Sequence, residues 1–169
     1  MKIREITGVL TFMALLAIST STSAQYKTAI GARLGGTSGI SVKQLLLRPM
    51  YGELLVGSFE NGFSVTALIE KQTPVSNSDK FFVYYGAGAH LAFYNGEDVI
   101  DTSFGRDVRY ESDNDVAVGI DLIFGLEYKL PANLPFIIHA DLKPFLEFGT
   151  GGYVVFAPDP SIGLKFIVR

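Results

Sequence analysis

From Gln25 onward, apolar and polar side chains alternate with a period of two. Between Asn114 and Tyr128, the residues Val118, Ile120, Leu122, Phe124, Leu126 and Tyr128 share one parity. Ala117, Gly119, Asp121, Ile123, Gly125 and Glu127 share the other. Phe136, Ile138, Ala140 and Leu142 alternate in the same way with Ile137, His139, Asp141 and Lys143, and Ile162, Leu164, Phe166 and Val168 with Gly163, Lys165, Ile167 and Arg169. Successive side chains on a strand point to opposite faces, so each segment predicts a strand with one apolar and one polar face. The pattern predicts eight strands, at 26–35, 38–48, 51–59, 62–72, 80–94, 114–129, 134–147 and 160–169. Turn chemistry separates them: Gly35-Gly36, Arg48-Pro49, Asn61-Gly62, Pro74 with Asn77, Asn95-Gly96, Pro131 with Asn133, and Pro158 with Pro160.

The contents of the two faces carry the reading further. Lys27 and Arg33 share one parity, as do Asp121 and Glu127, Asp141 and Lys143, and Lys165 and Arg169, while the opposite faces of those strands hold no charge. The polar parity also collects small residues, as at Gly86, Gly88, His90 and Ala92. Small and polar side chains suit the inside of a narrow barrel, and a bulky aliphatic face suits hydrocarbon outside it. Most of the predicted strands reach nine residues or more, near the ~9–11 needed by a tilted membrane strand. Aromatic residues gather towards strand ends: Tyr26, Tyr51, Phe81, Tyr128 and Phe136 at one rim, and Phe59, Phe63, Phe93, Phe145 and Phe148 at the other. The fold class predicted is all-β, an eight-stranded antiparallel up-and-down transmembrane β-barrel. With an even strand count both termini share one side, the periplasm of an exported chain. The two longest connections, 95–113 and 148–159, then fall outside, and 73–79 is a long periplasmic turn.

The first residues fit export. Residues 1–24 carry Lys2 and Arg4, an apolar run from Gly8 to Ile18, and small residues from Ser19 to Ala24, which is the layout of a cleaved signal peptide. The apolar run is too short to span a bilayer. Residues 25–169 are then the barrel domain. The formal net charge of −3 argues against neutralising nucleic-acid phosphates, and the absence of cysteine excludes disulfides and thiolate metal sites.

On these residues the chain resembles small outer-membrane β-barrel proteins of Gram-negative bacteria, OmpA/OmpX-like in size and nearest to a Bacteroidota type. The resemblance rests on 29–36, on 84–90 around Tyr84-Tyr85-Gly86, on 119–128 and on 141–144, and covers 26–169. It implies the fold, outer-membrane lipid as surroundings and the barrel-insertion machinery as a partner during biogenesis. It carries no activity with it. Such barrels end in an aromatic residue read by that machinery; this chain ends Lys165-Phe166-Ile167-Val168-Arg169, so Phe166 is the candidate signal.

Candidate chemistry lies on the polar parity. A charge network inside the barrel is expected from Lys27, Arg33, Lys43, Glu53, Glu70, His90, Asp121, Glu127, His139, Asp141, Lys143 and Lys165. With Arg169 counted, six cations face five carboxylates, a balance that fits a salt-bridged plug better than an ion-selective pore. The two histidines would need Asp121, Asp141 or Ser64 as partners for metal binding or hydrolysis, and the plainer reading is that they hydrogen-bond within the plug. An acidic outer loop holds Glu97, Asp98, Asp101, Asp107, Glu111, Asp113 and Asp115. Its 111–115 spacing resembles part of a calcium loop, but Val116 and Leu122 stand where that loop needs Gly and Glu. The expectation is a monomeric structural or surface-interaction protein of the cell outer membrane, with no enzymatic activity, no cofactor and no nucleic acid. The alternatives are a soluble periplasmic barrel carrying hydrophobic ligands, and a lipid-modifying outer-membrane enzyme.

Overall fold

The computed structural model describes residues 26–59, 62–76, 78–95, 114–131, 134–150 and 154–168. Within them ten strand segments run in chain order: β1 (Thr28–Gly35), β2 (Ser38–Leu47), β3 (Met50–Phe59), β4 (Gly62–Pro74), β5 (Phe81–Asn95), β6 (Asn114–Lys129), β7 (Phe136–Leu142), β8 (Phe145–Gly149), β9 (Val154–Ala157) and β10 (Pro160–Ile167). Each of β1 to β6 pairs antiparallel with the next. β6 then pairs with both β7 and β8, β8 with β9, and β7 with β10. β10 returns to β1, with Ala29 opposite Ile167 and Gly35 opposite Ser161, and closes the cylinder. The ten segments are therefore eight staves, and the chain is a closed eight-stranded antiparallel barrel of up-and-down order.

Two staves are interrupted by proline. Pro144 separates β7 from β8, and Pro158 separates β9 from β10. Proline has no N–H to give the ladder, so it breaks pairing locally. Here the breaks face each other: Leu142 is opposite Pro160, and Phe145 is opposite Ala157. Register is unchanged across the gap, Lys143 N donates to Asp159 O, and Leu122 N donates to the Pro144 carbonyl. This corrects the predicted eighth strand, which starts at Val154 and not at 160. It also corrects the predicted long outer connection at 148–159, of which Phe148, Gly149 and Val154–Ala157 are strand. Pro158 and Pro160 carry turn chemistry in the sequence, yet they only kink a stave that continues, as Pro144 does within its predicted strand. The other long connection lies outside the described residues, apart from Asn95 at the end of β5, and so do residues 1–24.

The two faces follow the predicted parities. On β6, Leu122 is 50% exposed and Asp121 2%. Ile30, Ile40, Leu54, Ile69, Leu91, Ile120, Ile138 and Leu164 point outward around the circumference. Among the described residues, Lys71 is the one charged side chain on the outward parity of a strand, near the terminus end of β4.

The aromatic residues divide differently from prediction. Phe81 packs on Tyr128 and Phe136 on Phe166 outside the terminus end, and Phe63 stacks on Phe93 outside the other. Tyr26, Tyr51 and Phe145 instead face inward and are buried. Tyr51 and Phe145 have the inward parity of Glu53 and Lys143, which outranks their nearness to a strand end. Inside, Tyr26, Ala29, Tyr51 and Ile137 plug the terminus end, and Ala92, Tyr94, Ala117, Phe145, Val155 and Ala157 the loop end. Phe59 packs against the latter.

Candidate functional site

Between the two apolar plugs the barrel is filled with ionised groups. Nearest the termini, Lys43 Nζ on β2 lies 2.7 Å from Glu70 on β4 and 2.8 Å from Glu127 on β6. Glu127 also accepts from the Tyr26 hydroxyl at 3.0 Å and from Gln72 Nε2 at 2.8 Å. Lys165 on β10 donates to Glu53 on β3 at 2.8 Å and lies 3.5 Å from Glu127.

A second set fills the half nearer the loops. Arg33 on β1 donates to Asp141 at 3.0 Å and lies 3.8 Å from Asp159. Asp141 also accepts from Ser161 at 2.8 Å, from the Tyr84 hydroxyl at 2.9 Å and from His139 Nδ1 at 3.1 Å. Lys143 joins Asp159 at 2.9 Å to Asp121 at 3.0 Å. His90 lies between Asp121 and Glu147, with 2.8 Å at each ring nitrogen, and Tyr94 donates to the other Glu147 oxygen. A ring that must donate from both nitrogens does so only as the imidazolium, so the geometry fits a protonated His90.

Tyr84 joins the two sets. Its hydroxyl reaches Asp141, and its ring lies 4.1 Å from Lys43 Nζ, within cation–π range. Glycines make room for the rings. A methyl group on Gly119 would overlap the His90 imidazole, and one on Gly125 would overlap the Tyr84 ring. Alanine normally improves on glycine in a strand interior. Here Gly119→Ala is expected to destabilise the barrel by ~1–3 kcal/mol through overpacking. Urea unfolding followed by tyrosine fluorescence would measure this, and adding His90→Ala should relieve the overlap. A neutral or stabilising single variant would refute the packing argument.

The structure thus brings together Arg33, Lys43, Glu53, Glu70, His90, Asp121, Glu127, His139, Asp141, Lys143 and Lys165 of the predicted network. Lys27 is a correction. It sits in a bend before β1 and is exposed, so strand parity does not govern it. Arg169 lies outside the described residues. Glu147 and Asp159 were missed. Both carry the inward parity of Lys143 and Lys165: Glu147 is the last residue of the predicted 134–147 strand, and Asp159 lies in the predicted 148–159 connection between Pro158 and Pro160. Their inclusion changes the charge count. Arg33, Lys43, Lys143 and Lys165 face seven carboxylates: Glu53, Glu70, Asp121, Glu127, Asp141, Glu147 and Asp159. Among the described residues, the six-to-five balance gives way to an excess of carboxylates over these four cations.

Chemically the cluster binds itself. Each ion faces a partner on another stave, and every one of the eight staves contributes a member. His90 and His139 use separate carboxylates, and no hydrogen bond joins either to Ser64 among the described residues. Nor, among those residues, does any group of three or more His, Cys, Asp or Glu have an arrangement that could hold a metal ion. Of the acidic connection, Glu97, Asp98, Asp101, Asp107, Glu111 and Asp113 lie outside the described residues, and Asp115 is placed only as a β6 residue opposite Tyr94. The chain matches no protein-family model, no curated protein and no solved structure.

Proposed function

We propose that this chain is an integral outer-membrane β-barrel protein of the small Gram-negative type that its sequence resembles. In this reading it is exported through residues 1–24, monomeric, and plugged by its ion network. Its role is structural or surface-interacting, not catalytic. The observation that carries the reading is the inversion of its faces: large aliphatic side chains cover the outside of a closed barrel whose inside holds the ions. A soluble carrier of hydrophobic ligands would need the reverse, an apolar lumen and a polar exterior.

The dimensions support the same reading. Phe81 and Phe93 lie twelve residues apart on one outward face of β5. At ~3.3 Å per residue and a tilt of ~40° they are separated by about 30 Å along the barrel axis. An apolar band ~25 Å tall between two aromatic girdles fits within that height. Eight staves leave an interior just wide enough for side chains, and here ions and aromatic rings fill it.

Full-length protein expressed in a Gram-negative host is expected to stay with the membrane through a carbonate wash. The same protein in planar bilayers is expected to give no reproducible conductance steps. Release as a soluble species would overturn the membrane assignment. Stable, ion-selective steps would overturn the plug.

A further inference from the structure

Charges outside the interior network collect at one end of the barrel. Lys27 precedes β1, Arg48 lies in the β2–β3 turn and Lys80 precedes β5; all three are exposed and stand beyond the strand ends. Lys71 points outward near the end of β4. Asp79 is the one exposed carboxylate at this end among the described residues. Lys129 does not belong with them, since it has the inward parity of β6 opposite the buried Ile137.

The four cations follow one another along five adjacent staves, β1 to β5, more than half of the circumference. Staves are ~4.8 Å apart, so the arc is roughly 20 Å long. A small anion would reach one or two of these cations, whereas a surface of anionic groups would reach them all. Their level is that of the outward aromatic side chains. Lys80 precedes Phe81, which packs on Tyr128, and Lys71 stands opposite Tyr85 in the β4–β5 register. Leu46 and Leu47 are exposed right up to Arg48. Apolar wall, aromatic side chains and cations thus succeed one another as hydrocarbon, interface and head groups do.

Resting on the membrane reading above, we propose that the terminus-end rim is a docking surface for the anionic lipid head groups of the leaflet around it. Each Lys or Arg held at such a surface is worth about a fivefold gain in the equilibrium. The sign of the effect is diagnostic. The chain has a formal net charge of −3, so anionic lipid should repel it if overall charge decides. A cationic rim in contact with the leaflet gives attraction instead.

The test follows urea unfolding of the full chain in vesicles of phosphatidylcholine alone, or of phosphatidylcholine and phosphatidylglycerol in equal parts. At about 0.1 M salt the folding equilibrium constant is expected to rise about tenfold or more when phosphatidylglycerol is present. At about 1 M salt, where charges are screened within ~3 Å, the gain should disappear. A variant with Lys27→Gln, Arg48→Gln, Lys71→Gln and Lys80→Gln should show no gain at either salt while keeping its stability in phosphatidylcholine. If that variant does not fold, Lys71→Gln alone decides, with an expected loss of about fivefold from the gain. An equal or lower constant for the native chain in the anionic vesicles would overturn the rim while leaving the membrane reading intact. So would a gain that survives high salt or the substitutions. A gain of the same size in phosphatidylcholine on adding millimolar inorganic phosphate would assign the cations to free phosphate and overturn the lipid surface. Failure to fold into phosphatidylcholine vesicles would overturn both readings together.

Discussion

Lys43→Met is expected to destabilise the folded barrel by ~3–5 kcal/mol, the range for removing one partner of a buried ion pair. The methionine nearly fills the volume of the lysine stem, so little of the loss would come from a cavity. What remains is electrostatic. Glu70 loses the ammonium at 2.7 Å, its one ion pair among the described residues. Glu127 keeps Tyr26, Gln72 and the more distant Lys165. The burden therefore falls on Glu70, and Lys43→Met combined with Glu70→Gln should recover a substantial part of the stability. Urea unfolding of single and double variants in vesicles gives the coupling directly. Additive losses, with no recovery in the double variant, would mean that the pair is not the source.

The outward face gives the second large effect. Leu122→Arg is expected to cost ~2–4 kcal/mol if that side chain meets hydrocarbon near the bilayer midplane. Asp121→Asn, one residue away and inward, should cost less, because the amide still hydrogen-bonds, although Lys143 and His90 lose a counter-charge. Two enlargements separate the faces further. Ala89→Leu on the outward parity of β5 should be tolerated, since lipid tails move aside. Ala92→Leu, inward in the apolar plug near the loops, should overpack by ~1–3 kcal/mol. Unfolding midpoints in the same vesicles rank the four. If Ala89→Leu proves worse than Ala92→Leu and Leu122→Arg is mild, the outward face is not a lipid face.

Much of the barrel could be read from parity, because one-residue alternation is a geometric property of strands that neighbours cannot easily override. Asp121, Glu127, His139, Asp141 and Lys165 lie inside for that reason. Parity failed only where its premise did. Lys27 precedes the first ladder residue, so the alternation has no hold on it. Glu147 and Asp159 obey the rule: Glu147 closes the predicted 134–147 strand on its inward parity, whereas Asp159 falls in the predicted 148–159 connection because Pro158 and Pro160 carry turn chemistry. A proline ends a strand only when no neighbouring donor bridges the gap, and here Lys143 N and Leu122 N do so. Tyr26, Tyr51 and Phe145 show the converse error. Nearness to a strand end fits an aromatic girdle and an internal plug equally, and only parity and packing separate the two. Which carboxylate would meet which cation could not be read from one strand at a time. Those pairings depend on the angular order of the staves around the axis.

The kinked stave β9–β10 has one more consequence. β1 pairs with β10 up to Gly35 opposite Ser161, and the turn at Gly36 and Thr37 is held there by the Pro160 carbonyl and by Asp159 Oδ1. β9 continues past that level with β8 as its strand partner among the described residues. Among the described residues, its other edge therefore presents peptide N–H and C=O groups that no ladder satisfies. Hydrocarbon offers no substitute partner, at several kcal/mol for each group left unmet, whereas water and head groups do. In the proposed membrane setting that edge would act as a waterline. On the side of the barrel above the first hairpin the bilayer would then have to end by about the level of the Asp159 cap, with Phe156 in the head-group layer. The molecule would accordingly ride deeper on its terminus side and stand clear of the lipid where β8 and β9 rise.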